Sequence, residues 1–368
     1  MLTVHHYYPL GSDNIGDHLV ARAIRQAVPR HFGPTTFVGM PVNDRYRASD
    51  RTIGLVGENI DRTNAEADLV IVGGSNLLEP RRPPRRSSRR PQPHTWGVFT
   101  DAESIERLAP PVMLLGMGTG SDYGHSIRNY QPRAIAEVRL LHQRAIAAAV
   151  RDQETARRLE AIGVKAQCTG CAVTFLTDRP VAASGDASLP LLVSFPPGRI
   201  LKRFSGRRFM AATMRYVAWL KAAGVPLVVT LHETADQPLA AKLVPAGVEV
   251  FYTEDLDELI DRYEHSRGVI GFRLHAGLLG LGLGKPIIPV GVDWRGQAFI
   301  DTFDLEPWSI RPAMFGQFRK LRMLTRRLLD GDQELVGTLR DAKALFNGRY
   351  ERFLTTAQQQ FSMLAPVG

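Results

Sequence analysis

The sequence is poor in cysteine, in long apolar runs and in the familiar nucleotide and protease signatures. Only Cys168 and Cys171 occur, too few for the disulfide framework of a small secreted domain. Their C-x-x-C spacing lacks the second pair that a four-ligand structural zinc site needs. Nor do they open an expected helix, as a thioredoxin-like pair would. Both are read as buried thiols, and no metal or cofactor is expected. No stretch approaches the roughly 18 apolar residues of a membrane span. The start, Met1 to His6, lacks the basic and apolar regions of a signal peptide, so a cytoplasmic protein is expected. There is no GxGxxG fingerprint, P-loop, GxSxG elbow or H-E-x-x-H, and no internal repeat. His5, His6, His232 and Glu233 are scattered, and Asp255/Asp257 fall on an expected helix.

What is present is mostly ordinary for a soluble globular chain: 44% hydrophobic and 23% charged residues. At 368 residues, more than one core is expected. The net charge of +9 is uneven. The segment Glu79 to His94 holds six arginines, five prolines and one glutamate, and so accounts for +5, leaving +4 for the rest. That makes a local basic loop rather than a nucleic-acid-binding surface. Its candidate partners are anionic lipid headgroups of a membrane, touched through Arg81 to Arg90, an acidic substrate, or none.

Taken in order, the chain alternates strand and helix signals. Leu2 to Tyr8 is β-rich and leads through a turn-rich loop, Pro9 to Asp17, into a helix patterned by Leu19, Val20, Ala23, Ile24, Ala27 and Val28. Strands are expected at Thr36–Met40, Ala67–Asn76, Pro111–Leu115, Ala145–Val150 and Lys165–Thr169. The continuous apolar run before Gly73-Gly74 reads as a buried parallel strand. Gly163 reads as a helix C-cap. The Asp-, Ser-, Gly- and Pro-bearing stretch Thr177–Pro190 reads as a linker. A second series follows, with strands at Leu191–Phe195, Pro226–His232 and Val248–Tyr252, a helix near Asp236–Leu243, and then Gly268–Val290, read as a short buried strand, a charged tip, a glycine-rich helix and a second buried strand. The chain ends in three expected helices, Gln317–Leu329, Gln333–Phe346 and Arg349–Leu364. The fold class is α/β: two Rossmann-like domains facing a cleft, GT-B-like, with C-terminal helices. The expected division is 1–180, with a mobile loop at 79–94, then 188–345, then a helix at 346–368 packing back on the first domain.

The candidate chemistry lies at strand ends, where open α/β sheets place ligands. Arg273 and His275 end the apolar run that starts at Gly268, at the opening of a glycine-rich helix. A guanidinium suits a carboxylate or phosphate, an imidazole exchanges protons near neutral pH, and first-turn N–H groups favour anions. The bland reading, an ion-paired Arg and a capping His, stands beside it. Arg151 and Asp152 also end a strand, either as a structural ion pair or as a second anion contact. Three tips are read as lining the cleft: Asn14, Gly16 and Asp17; Gly74, Ser75 and Asn76; Gly118 and Thr119.

These residues, in this order, resemble the polysaccharide pyruvyl transferase family. Asn14-Ile15-Gly16-Asp17 is similar to its N-x-G-D, Gly73-Gly74 to its double glycine, and Gly116 to Gly120 to its G-x-G-x-G. Val150-Arg151-Asp152 is similar to its VRD block, and Arg273-Leu274-His275 with Gly284-Lys285-Pro286 to its R-x-H…G-x-P. Gly170-Cys171-Ala172 and Asp293-Trp294-Arg295 stand where the family often has Asp-Pro and Tyr/Lys. The resemblance implies transfer of a pyruvyl group from phosphoenolpyruvate, as co-substrate, to a sugar of a polysaccharide or lipid-linked precursor, forming a ketal. It implies Arg273, His275 and Arg151 as donor-binding or catalytic: His275 and Arg273 are taken as catalytic, Arg151 and Arg273 as donor-binding, and Leu274 and Arg295 stand beside them as further donor-binding candidates. A nucleotide-sugar glycosyltransferase of the same fold and a non-catalytic anion- or glycan-binding member remain as alternatives.

Overall fold

Apolar runs of four to seven residues, each followed by a helical-period stretch, build two parallel sheets. The computed structural model describes residues 1–42, 58–78, 98, 100–119, 132–194, 206–241, 247–311 and 318–364. The Arg/Pro segment 79–94, with Arg81 to Arg90, lies outside them. So do Gly120 to Asp122 and Phe195. No helix among the described residues is long and apolar enough to cross a membrane.

Contacts group Met1–Ser12, Val20–Ala172 and Asn347–Gly368 into one unit, and Asp13–Leu19 with Val173–Phe346 into another. The first contains β1 (Leu2–Tyr8), most of α1 (Ile15–Phe32), β2 (Thr35–Pro41), α2 (Glu58–Glu66), β3 (Leu69–Gly73) and α3 (Ala102–Arg107). It continues with β4 (Val112–Met117), α4 (Pro132–Arg144), β5 (Ala145–Val150), α5 (Gln153–Glu160) and β6 (Gln167–Cys168). Its sheet runs β2-β1-β3-β4-β5-β6, with every pair parallel. The order reverses between β1 and β3, so the switch point opens at the carboxyl ends Tyr8 and Gly73.

Two of these helices carry little sequence signal. In α2 the apolar hold is Ile60, and Thr63 lies 2.7 Å from the Tyr7 hydroxyl and 3.0 Å from His5 Nδ1. α3 starts at Asp101, whose carboxylate accepts the Ser104 N–H at 2.7 Å, an ordinary N-cap.

The second unit contains β7 (Leu191–Ser194), α6 (Gly206–Ala222), β8 (Leu227–Thr230), α7 (Gln237–Ala240), β9 (Glu249–Phe251) and α8 (Leu256–Glu264). After these come β10 (Gly268–Gly271), α9 (Leu274–Gly282), β11 (Ile287–Pro289), α10 (Trp294–Thr302), α11 (Phe318–Leu329) and the start of α12 (Gln333–Leu364), whose residues from Asn347 on group with the first unit. Its parallel sheet runs β11-β10-β7-β8-β9. Here the reversal lies between β7 and β10, at Ser194 and Gly271.

Three expectations change. The Thr177–Pro190 stretch is not a free linker, because hydrogen bonds to its backbone tie it into the second unit: Ala182 N–H donates to the Gly284 carbonyl at 3.0 Å, and the Lys343 side chain donates through Nζ to the Arg179 carbonyl at 2.6 Å. The helix expected near Asp236–Leu243 is a 3₁₀ turn at Thr234–Asp236 followed by the short α7. The last two helices are one. Leu335, Leu339, Phe346, Tyr350, Phe353, Leu354 and Ala357 of α12 are all buried, and this apolar stripe outweighs the roughly 1 kcal/mol that Gly348 costs a helix interior.

α9 is buried along its length from His275, and its glycines permit that. A Cβ on Gly280 would lie 2.7 Å from Val269 Cγ2 and 2.9 Å from Ile287 Cγ2, so α9 rests directly on β10 and β11. Its last carbonyl, Gly282, accepts from Lys343 Nζ at 2.9 Å and Thr177 Oγ1 at 2.8 Å, placing a cation at the negative end of the helix. Burial brings the Lys343 ammonium down to about 8. A Cβ on Gly282 would fall 2.1 Å from the Val173 carbonyl oxygen, whereas one on Gly337 in α12 meets nothing within 4 Å. Gly282→Ala is therefore expected to destabilise by about 1–3 kcal/mol and Gly337→Ala to stabilise by about 0.4–1 kcal/mol. Denaturant unfolding of the two variants checks the opposite signs.

Candidate functional site

In the second unit, Arg273 is the N-cap residue of α9 and stands just past β10 at the switch point. Its backbone N–H donates to Ser194 Oγ, at the end of β7, at 3.0 Å. Its guanidinium is buried and doubly held. Nη1 donates to Glu233 Oε1 at 2.9 Å, and Nη2 bonds Asp236 Oδ2. Both carboxylates come from the single turn after β8, three residues apart. Sequence reading does not bring them to the site: Glu233 reads as scattered and Asp236 as the start of an expected helix. The only available signal was their position beyond a strand's carboxyl end. The bland reading of Arg273, a strand-end arginine paired to carboxylate, accurately describes these contacts.

His275 is buried in the first turn of α9, and Leu274 is the residue before it. The imidazole lies against Gly16: a Cβ there would fall 1.9 Å from Nδ1 and 2.4 Å from Cγ. Only a residue without a side chain leaves room for the ring. The loop carrying Gly16 is itself fixed. Asn14 Oδ1 accepts the Gly16 N–H at 3.0 Å, Asp17 N–H donates to the Asn14 carbonyl at 2.9 Å, and Ile15 N–H donates to the His232 carbonyl at 3.3 Å. Thus the N-terminal Asn-Ile-Gly-Asp and the Arg-Leu-His stretch, far apart in the chain, build one site in one unit.

Arg295 opens α10. Its Nε donates to Asp293 Oδ2 at 2.8 Å, while Asp293 Oδ1 caps the helix through the Gly296 N–H at 2.9 Å. Burial disfavours the Arg295 charge, but Asp293, then Asp17 and Glu233, outweigh it and hold its pKa above the ordinary guanidinium value. Arg295 and Arg273 therefore belong to one charge cluster, linked through Glu233. Beneath Arg273 lies His232, with Nε2 3.0 Å from the Tyr263 hydroxyl, which lies 3.1 Å from Thr230 Oγ1. Burial, then the Arg273 charge, pushes His232 down to about 3, so it is neutral near pH 7.

In the first unit, Gly74, Ser75 and Asn76 follow β3, and Gly118 and Thr119 follow β4. Backbone bonds lace the tips together: Gly118 N–H to the Ser75 carbonyl at 3.0 Å, and Leu78 N–H to the Gly118 carbonyl at 3.0 Å. Arg151, buried after β5, bonds Asn76 Oδ1 through Nη2, and its Nε lies 3.5 Å from Asp152 Oδ2. Gly118 serves this arginine as Gly16 serves His275, since a Cβ there would fall 2.4 Å from Arg151 Nε. Asp152 also caps α5 through the Thr155 N–H at 2.7 Å, and Thr155 Oγ1 accepts the Thr119 N–H at 3.0 Å. Cys168 and Cys171 are free thiols, and burial pushes Cys168 up to about 11. Among the described residues no three His, Cys, Asp or Glu side chains group as metal ligands.

Two parallel, doubly wound units, each with cationic side chains seated at glycine-bearing strand ends, define an α/β protein of the GT-B class. The fold is shared with S. aureus MnaA in a co-structure with UDP (TM-score 0.50, 11% identity, 97% of this chain and 98% of that one). It is also shared with UDP-GlcNAc 2-epimerase from Neisseria meningitidis bound to UDP-GlcNAc (TM-score 0.51, 12% identity, 96% and 100%). No curated protein sequence matches the chain. The family model of polysaccharide pyruvyl transferase matches residues 14–293, and the chain belongs to that family. It is thereby a member of a transferase family of polysaccharide biosynthesis.

Two outcomes follow from the geometry. Gly16→Ala is expected to displace the His275 ring, read as a shift of its imidazole NMR signals with the circular dichroism spectrum retained. His232 titrates near 6.5 when unfolded but is held neutral in the fold to about 3. Below pH 6.5 the unfolded chain therefore gains a proton that the native state refuses, and stability falls as pH falls. The loss is about 2 kcal/mol between pH 6.5 and 5, and urea unfolding of His232→Gln should show that much less pH dependence.

Proposed function

We propose that the chain transfers the pyruvyl group of phosphoenolpyruvate to two hydroxyls of one sugar, in a polysaccharide or lipid-linked precursor, forming a cyclic ketal and releasing phosphate. The observation that carries this reading is the seat of His275. A buried imidazole, fixed on Gly16 in the first turn of α9, adjoins Arg273 and the Asp17–Arg295 edge of the same cluster. Family membership supports a transferase of this kind.

In this mechanism Arg273 and Arg295, pre-ordered by Glu233, Asp236 and Asp293, hold the carboxylate and phosphate of the donor. The first N–H groups of α9 add to that field. His275 protonates the methylene carbon as general acid, leaving positive charge at C2. One sugar hydroxyl attacks C2 and loses its proton. Phosphate departs with the C–O bond electrons, and the second hydroxyl closes the ring, losing its proton in turn. In its own unit, Arg151 is proposed as a further donor-binding residue, and Asn14, Ser75, Asn76 and Thr119 as polar contacts for substrate. The arginines between 81 and 90 are proposed to meet anionic headgroups where the acceptor is lipid-linked.

His275→Gln is expected to lower turnover by about 10²–10⁴, and Arg295→Gln to raise the KM for phosphoenolpyruvate with a smaller effect on kcat. Phosphate release from phosphoenolpyruvate, measured across a panel of sugar acceptors, checks both. A chain that releases no phosphate with any acceptor, yet binds a nucleotide sugar that phosphoenolpyruvate does not displace, is a glycosyltransferase instead.

A further inference from the structure

The Arg273 guanidinium is shared by two unequal carboxylates. Glu233 is partly exposed. Asp236 is fully buried, bonds Nη2 through Oδ2, and leaves Oδ1 with no hydrogen-bond partner among the described residues. A buried oxygen without a donor is a poor place for charge and a good place for a proton. The groups around Asp236 divide. Arg273 and the His232 backbone N–H favour the carboxylate, while burial and the neighbouring Glu233 charge oppose it. Burial prevails, so its pKa stands above the usual carboxylate value. The His232 ring, kept neutral down to about 3, supplies no compensating cation.

A donor bearing both carboxylate and phosphate brings more negative charge to the same guanidinium. Asp17, Glu233, Asp236 and Asp293 already surround Arg273 and Arg295. Something must give, and the buried carboxylate with the unpaired oxygen is the group that yields at least cost. We propose that Asp236 takes up a proton on Oδ1 when the anionic donor engages Arg273, so that donor binding is coupled to proton uptake. The proton comes from solvent, the bond formed is O–H, and no heavy-atom bond changes. Asp236 is thereby a positioning residue. Ionised, it holds Arg273 in place in the empty site; protonated, it releases the guanidinium to the ligand. This rests on the proposed role of Arg273 in donor binding.

The test is calorimetric binding of phosphoenolpyruvate to the full chain, in buffers of differing ionisation enthalpy, above about pH 7 where the phosphate is fully ionised. The expected result is uptake of about one proton per donor, with Kd weakening by up to about tenfold per pH unit. Asp236→Asn should bind with no linked proton, and His275→Gln should retain the uptake. On the wild-type chain, difference infrared spectroscopy should show a protonated-carboxyl band on donor addition that persists in Glu233→Gln. Uptake that persists in Asp236→Asn, or binding of the wild type with no uptake and no such band, overturns the proposal alone. Absence of any phosphoenolpyruvate binding overturns the donor reading and this proposal together.

Discussion

The contact between the His275 imidazole and the bare Cα of Gly16 is the constraint on which the second unit's site depends. A first-turn histidine on a buried helix has few places to go. Here one side of the ring meets a wall of backbone, which cannot rotate away. That wall is rigid because the Asn14 side chain and the His232 carbonyl both hold the loop. The helix behind the histidine cannot slide either. Its glycines bring it onto β10 and β11, and Lys343 and Thr177 close its far end. A side chain held by packing and backbone bonds in this way has little conformational freedom left to lose on binding a ligand.

Around that rigid imidazole the electrostatics are less settled, and usefully so. Both guanidiniums of the cluster are already paired. Breaking one partner of a buried pair costs far more than its net stabilisation, because the other charge is then left without compensation. An anionic ligand avoids this cost, since it replaces one carboxylate partner with another. The same logic applies in the first unit, where Asn76 and Asp152 hold Arg151 over Gly118. In both units the arginine is oriented before any ligand arrives.

Much of this was legible in the sequence because apolar runs speak plainly. β3, β4 and β10 are continuous buried strands, and α9 announces itself by its glycines and its Arg-Leu-His opening. The polar elements were not legible. α2 is a helix of Glu, Asn, Asp and Thr that hangs on Ile60 and Thr63. The turn after β8 holds the two carboxylates that bind Arg273, yet its composition is that of a surface loop. A sequence shows which residues prefer water; it does not show which are kept from it by a partner far along the chain. The motif residues themselves were found, but not why two of them must be glycine, since that depends on a ring and a guanidinium arriving from other strands.

The grouping of Asp13–Leu19 with the second unit has a consequence for how this protein is divided. A fragment begun at Val173 would contain every strand of the second sheet, the Arg-Leu-His turn and the helices after it. It would still lack the surface on which the imidazole rests. The chemistry of that unit therefore belongs to no contiguous stretch of sequence. During synthesis the seat leaves the ribosome first, and it waits for most of the polypeptide before its histidine follows.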